Sequence, residues 1–176
     1  KISKEISSFF EPLTNAVKEG SIPEKIMASL LMLVLVFFFN TFFAILLFAV
    51  TQNAPLTMHL LGCVLAPFIE EATKTFFIKA GMPWLGTGVV FGVELLSYIS
   101  NIVKMGGNLI KTVIIRVASL LMHFTTTYIQ KKIIEKGEAK GEDQEFIAWT
   151  VGVCIHALWN AFGLIYNEKI SGWVLT

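Results

Sequence analysis

Aspartate is all but missing from this chain: Asp143 is the only one among 176 residues, and it lies in a polar run. A pair of aspartates working inside an apolar segment is therefore excluded. HExxH does not occur, which removes that zinc-hydrolase signature, and no serine stands in a GxSxG setting. Ser119 and His123 are four residues apart, but helical spacing produces such pairs often. Cysteine is scarce too. Cys63 and Cys154 both sit in apolar stretches, match no metal or redox spacing, and are expected to be small core filler. Charge is thin: 15% of residues are charged, against about a quarter in a soluble domain. With a formal net charge of +1 there is no basic face to neutralise phosphates, so nucleic acid is not an expected partner. No convincing internal repeat is visible.

What is present is apolar. Hydrophobic residues make up 55% of the chain, with fifteen Phe and four Trp, and the mean hydropathy is +0.68. This is the composition of an integral membrane protein, whose first partner is the lipid bilayer. The expected fold is all-α, a polytopic transmembrane helix bundle of about five spans. Residues 1–25 carry Ile2, Ile6, Phe9, Phe10, Leu13 and Val17 at helical spacing between charges, which fits an amphipathic helix in the membrane interface or an amphipathic linker. Residues 26–50 hold no charge and are long enough for a span of about 20 residues, so they form an anchor. Residues 55–167 hold four more spans, at 55–80, 84–103, 109–129 and 146–167. Gly81 and Pro83 close the first of these. "GGN" at 106–108 turns between the next two, and a polar loop runs from Lys131 to Gln144. Residues 168–176 are expected to be a short tail. A start at Lys1 rather than Met is expected of a piece of a longer protein.

Lysine asymmetry orients the bundle. Lys1, Lys4, Lys18, Lys25, Lys79, Lys131, Lys132, Lys136 and Lys140 fall on one side, and only Lys104, Lys111 and Lys169 on the other. The N-terminus is therefore expected in the cytoplasm.

Inside the four-span region, ionisable residues recur at one depth. Glu70, Glu71 and Lys74 lie near the middle of one span, Glu94 of the next, Arg116 and His123 of the third, and His156 of the fourth. Each charge at a helix centre costs about 2.5–3.5 kcal/mol even on the lenient insertion scale. Several at one level require a compensating network, and a buried functional site is the default reading. Helical spacing supports convergence. Glu70 and Lys74 share a face and can pair, while Glu71 points about 100° away. Phe91, Glu94, Tyr98 and Asn101 form one stripe, and Arg116 and His123 share another face. Gly152, His156, Asn160, Gly163 and Asn167 form a stripe of small and polar residues that allows close helix approach. Pro67 either kinks its helix, freeing the Cys63 carbonyl, or starts a new helix whose dipole would favour the glutamates. Asn40 and Asn101 read as helix–helix contacts, His59 as interfacial, and Tyr98, Trp84, Trp149 and Trp173 as packing or interface anchors.

Carboxylate, imidazole and amide acting on a water remain as the chemistry. The set resembles a known family. "EEATK" at Glu70–Lys74 is similar to the EExxK motif of PrsW-type proteases, and "FGVE" at Phe91–Glu94 to their Phe-and-Glu motif. "RVASLLMH" at Arg116–His123 resembles the Arg/His motif, and "HALWN" at His156–Asn160 the closing HxxxN. Together they cover residues 67–162, the four-helix core of the CAAX-protease and bacteriocin-processing superfamily. The resemblance implies a glutamate-dependent intramembrane endopeptidase of a prokaryotic cytoplasmic membrane, acting on a membrane-anchored protein or peptide and needing no cofactor. By position, Glu70 would be the general base and Glu94 would hold the water or tune Glu70. His156 and Asn160 would orient the water or stabilise the oxyanion. Glu71, Lys74, Arg116 and His123 would support them. Three alternatives stay open. One is a mixed zinc site of Glu70, Glu94, His123 and His156, one a transporter or proton relay, and one a non-catalytic membrane scaffold.

Overall fold

The computed structural model describes residues 11–13, 15, 16, 18–105 and 109–175, with side chains as far as 163 except at 55, 58, 97, 101–105, 109, 111 and 112. The expectations for residues 1–10, for the turn at 106–108, and for the side chains of Asn101, Lys104, Lys111, Asn167, Lys169 and Trp173 lie outside them. Among the described residues every regular element is helical, and the fold is all-α.

Helix α1 (Ile22–Thr51) starts where Glu24 accepts hydrogen bonds from the Ser21 N–H at 2.6 Å and the Ser21 hydroxyl at 2.8 Å, a start signal reinforced by Pro23 in the first turn. Its thirty residues reach about 45 Å. Only Ala28, Met32 and Val36, one stripe at a spacing of four, are buried. Phe37, Phe38, Phe39, Phe42, Leu30 and Leu31 are exposed. Just 11% of its apolar window is buried, so it is not the core helix of a water-soluble protein, which would be mostly covered. Among the described residues two helices, α1 and the last, are long and apolar enough to cross a membrane.

Asn53 caps the next helix, its Oδ1 accepting the Leu56 N–H at 3.0 Å. Helix α2 (Ala54–Leu60) runs without a break through a π-turn (Leu61–Leu65) into α3 (Ala66–Lys79). Pro67 starts no new helix: Leu65 and Ala66 both keep right-handed helical angles. The glutamates therefore have no free helix N-terminus beneath them, and their burial must be compensated by side chains. Gly81, at φ +78°, ends α3 with its N–H on Ile78 O and the Met82 N–H on Phe77 O, the paired Schellman bonds that favour glycine. Helix α4 (Pro83–Met105) follows.

Helix α5 (Leu109–Glu138) and helix α6 (Glu145–Leu175) correct two boundaries. The expected polar loop from Lys131 is helix as far as Glu138. Lys131 and Lys132 pair with Glu135 one turn on, and these two lysines hold its carboxyl below the usual range. Ile134 is buried against Ile78 and Ala148. The expected tail is also helical, through Leu175. The turn between them uses Gly141 at φ +71°. Lys79, ending α3, forms an ion pair with Glu145, starting α6, so these termini share one end of the bundle. Leu13 and Ala16 pack there against Ala28, Met32, Phe77 and Ala80. Helices α5 and α6 pack most extensively, followed by α3 with α4 and α4 with α5. Cys63 is half-buried and Cys154 is exposed, so Cys154 faces outward rather than filling the core.

Candidate functional site

Two polar clusters meet between α3, α4, α5 and α6, and each centres on one carboxylate. The first is Glu71, fully buried. Its Oε1 accepts from Lys74 Nζ at 2.6 Å and stands 2.7 Å from His156 Nδ1, while its Oε2 accepts from Gln130 Nε2 at 3.0 Å. Lys74, equally buried, also donates to Thr126 Oγ1 at 2.8 Å. The anticipated Glu70–Lys74 pair is thus replaced by Glu71–Lys74, three residues apart, because this face of α3 turns into the α5–α6 interior. The partners of Glu71 are Lys74, His156 and Gln130, and Arg116 is not among them.

Arg116 belongs to the second cluster. Its Nη1 donates to Glu94 Oε1 at 2.7 Å, while Glu94 Oε2 accepts from Ser119 at 3.1 Å and lies 3.0 Å from His123 Nε2. The Arg116 guanidinium sits 3.8 Å above the Tyr98 ring, and Phe91 packs edge-on to His123. Both oxygens of Glu94 are thereby engaged in fixing α5. Ser119 serves the same carboxylate, and no hydrogen bond joins it to His123.

Between the clusters lies Glu70. Its Oε2 is buried, has no hydrogen-bond partner among the described residues, and stands 3.6 Å from His156 Nε2. His123 Nδ1 is likewise buried without a partner among them. The His123 and His156 rings are 5.0 Å apart at 89°. One ligand atom from each of Glu70, His123 and His156 lies within 4.8 Å of the other two. This corrects the four-residue set considered from sequence: Glu94 stands behind His123 instead of joining the group.

Asn160 is placed elsewhere. Its Nδ2 donates to Gly62 O at 2.7 Å. In the π-turn the Ala66 N–H bonds to Leu61 O. Pro67, next in that wider register, faces Gly62 O and has no N–H to give. The carbonyl that needs a partner is therefore Gly62, one residue before the expected Cys63, and Asn160 supplies the donor from α6. Removing it in Asn160→Ala should cost about 0.5–1.5 kcal/mol, the net worth of a hydrogen bond to this half-buried acceptor. Thermal unfolding in detergent measures it, and an unchanged midpoint would contradict the assignment. Trp149 makes a second link between the same helices, donating to Phe68 O at 3.2 Å.

Gln130, Thr126, Thr87 and Thr127 are site residues that spacing could have revealed. Arg116, Ser119, His123, Thr126, Thr127 and Gln130 recur at three or four residues along one face of α5. Thr87 and Thr127 share a hydrogen bond of 2.6 Å. Gly152, on the small-residue stripe of α6, lets Gln130 reach Glu71: a Cβ there would collide with Gln130 Nε2 and come within 2.9 Å of Glu71 Oε2. Gly152→Ala should displace Gln130 and break that bond, losing about 1–3 kcal/mol. Gly152→Ala combined with Gln130→Ala should lose little more than the single change. Additive losses would show that the clash lies elsewhere. Gly163, on the same stripe, is exposed.

No family model matches the chain, and no curated protein or solved structure matches it.

Proposed function

We propose that this chain is an intramembrane endopeptidase that hydrolyses peptide bonds of membrane-anchored proteins or peptides, in the manner of the PrsW-type and CAAX-protease proteins it resembles. The observation that carries the reading is Glu70: a carboxylate oxygen buried without a partner among the described residues, beside two imidazoles, while the carboxylates of Glu71 and Glu94 are fully engaged. A structural glutamate gains partners, as Glu71 and Glu94 do. One held free beside histidines suits work on a water. In the step proposed, Glu70 takes a proton from water as its oxygen attacks the carbonyl carbon. The carbon–nitrogen bond then breaks, and that proton leaves with the amine. His156, oriented by Glu71, and His123, oriented by Glu94, line the place where the water is held. Asn160 acts through the π-turn that carries the segment leading to Glu70, rather than on the water itself.

Five membrane crossings are part of the proposal. Helices α1 and α6 qualify on apolarity alone. The α2–α3 rod, α4 and α5 are long enough but carry the polar site, which lowers their hydropathy. The Lys79–Glu145 pair joins ends that the lysine pattern assigns to one side; that this side is cytoplasmic rests on the lysine pattern, and a prokaryotic cytoplasmic membrane on the resemblance.

Cleavage of single-span peptides by the purified protein in liposomes tests the reading. Cleavage by wild type and none by Glu70→Gln supports it; equal cleavage by both overturns it. A proton relay is the second reading, favoured by the hydrogen-bonded series Lys74, Glu71 and His156, with Glu70 3.6 Å beyond it. Proton flux in sealed vesicles that depends on Glu70, without cleavage, would decide for it.

A further inference from the structure

The hydrogen bonds of the two histidines restrict what Glu70, His123 and His156 can hold between them. An ionised carboxylate only accepts, so Glu71 takes the Nδ1–H of His156 and Glu94 the Nε2–H of His123. The nitrogens left over, Nε2 of His156 and Nδ1 of His123, then carry lone pairs. Glu70 Oε2 is a third acceptor, with no donor among the described residues. A single water has two hydrogens for these three acceptors. A divalent cation satisfies all three at once.

We propose that Glu70, His123 and His156 form a three-ligand site for a zinc-class divalent cation. The donor set selects the class. Two imidazoles with one carboxylate suit zinc, whereas calcium and magnesium favour oxygen alone. Ligand atoms about 2.0–2.1 Å from a tetrahedral ion are roughly 3.4 Å apart. The Glu70–His156 separation of 3.6 Å is close to that, and the whole grouping, within 4.8 Å, reaches it by side-chain shifts of about 1 Å. Each histidine already has a carboxylate on its far nitrogen, the outer support that fixes ring and tautomer in metal sites. Formal charge agrees too, since Glu70, Glu71 and Glu94 outnumber Lys74 and Arg116 around the pocket. Three protein ligands leave a fourth position for water, which an open catalytic zinc keeps.

This site rests on the endopeptidase reading and reassigns Glu70 from free base to cation ligand, and its binding is measured without any substrate. Purified full chain is loaded with Zn²⁺, dialysed against metal-free buffer and analysed for metal. Cobalt(II) replaces zinc in a parallel sample for visible spectroscopy. About one zinc per chain and cobalt bands of a four- or five-coordinate ion are expected. Glu70→Gln and His123→Ala should lose the tightly held metal. Glu71→Gln and Glu94→Gln, which touch only the far nitrogens, should weaken it by about 10–100-fold. Helicity and monodispersity are checked for every variant. Glu70→Gln removes no hydrogen bond and serves as the folded control. Wild type that retains no zinc overturns the site, and so does zinc retained equally by folded Glu70→Gln. Chelator-resistant cleavage by zinc-free protein overturns the site while leaving the endopeptidase reading intact. Bound zinc lost in Glu70→Gln, with no peptide cleaved, supports the site and counts against the peptidase.

Discussion

Replacing Glu70 by glutamine should abolish peptide cleavage while leaving the fold as stable as before. The two halves of this expectation have separate causes. Glu70 Oε2 has no hydrogen-bond partner among the described residues, so the isosteric amide leaves no donor or acceptor of the protein newly unpaired. Its position beside His156, at 3.6 Å, is where a proton acceptor for water is needed. Losing a positioned acid–base group lowers rate by about 100- to 10,000-fold. The neighbouring variant provides the contrast. Glu71→Gln would disturb contacts to Lys74, His156 and Gln130 together, so it should destabilise the protein before it informs on chemistry. Cleavage rates and unfolding midpoints of both variants, measured side by side, check this. A Glu70→Gln protein as unstable as Glu71→Gln would show Glu70 to be structural after all.

Lys74→Met should bring the largest loss of stability, about 3–5 kcal/mol, the cost of leaving one partner of a buried ion pair without the other. Both groups are fully buried and 2.6 Å apart. Methionine fills a comparable volume, so packing changes little and the loss reports mainly on the stranded Glu71 charge. The double variant Lys74→Met/Glu71→Gln removes that charge as well and should recover part of the loss. Unfolding of the two singles and the double, run as a cycle, isolates the pair energy. A double variant as unstable as the sum of the singles would refute the stranded-charge explanation. The same pair bears on the site, because Glu71 holds His156 through Nδ1. Lys74→Met is therefore expected to loosen His156 and slow cleavage without any direct contact to the water.

Much of this organisation was legible without coordinates. Helical class, the apolar exterior of α1, the glycine stop at Gly81 and the common depth of Glu70, Glu94, His123 and His156 follow from composition and periodicity. Counting residues along antiparallel helices is enough to bring those four to one level. The continuation of α5 through Glu138 was less legible: "KKIIEKGE" reads as polar loop unless Ile134 is known to be buried and Lys131 and Lys132 to pair with Glu135.

The sequence by itself determined which side chains share a helix face, because the rise and turn of a helix leave no freedom there. Only the tertiary structure decided the partners, because the rotation of each helix about its axis is set by packing against its neighbours. Lys74 has a glutamate four residues back and another three back, and packing against Gln130 and His156 chooses Glu71. Glu94 takes Arg116 and His123 from another helix, a choice no spacing within α4 could predict. Asn160 finds Gly62 because a π-turn, invisible in the residue pattern, shifts the carbonyl that Pro67 leaves without a donor.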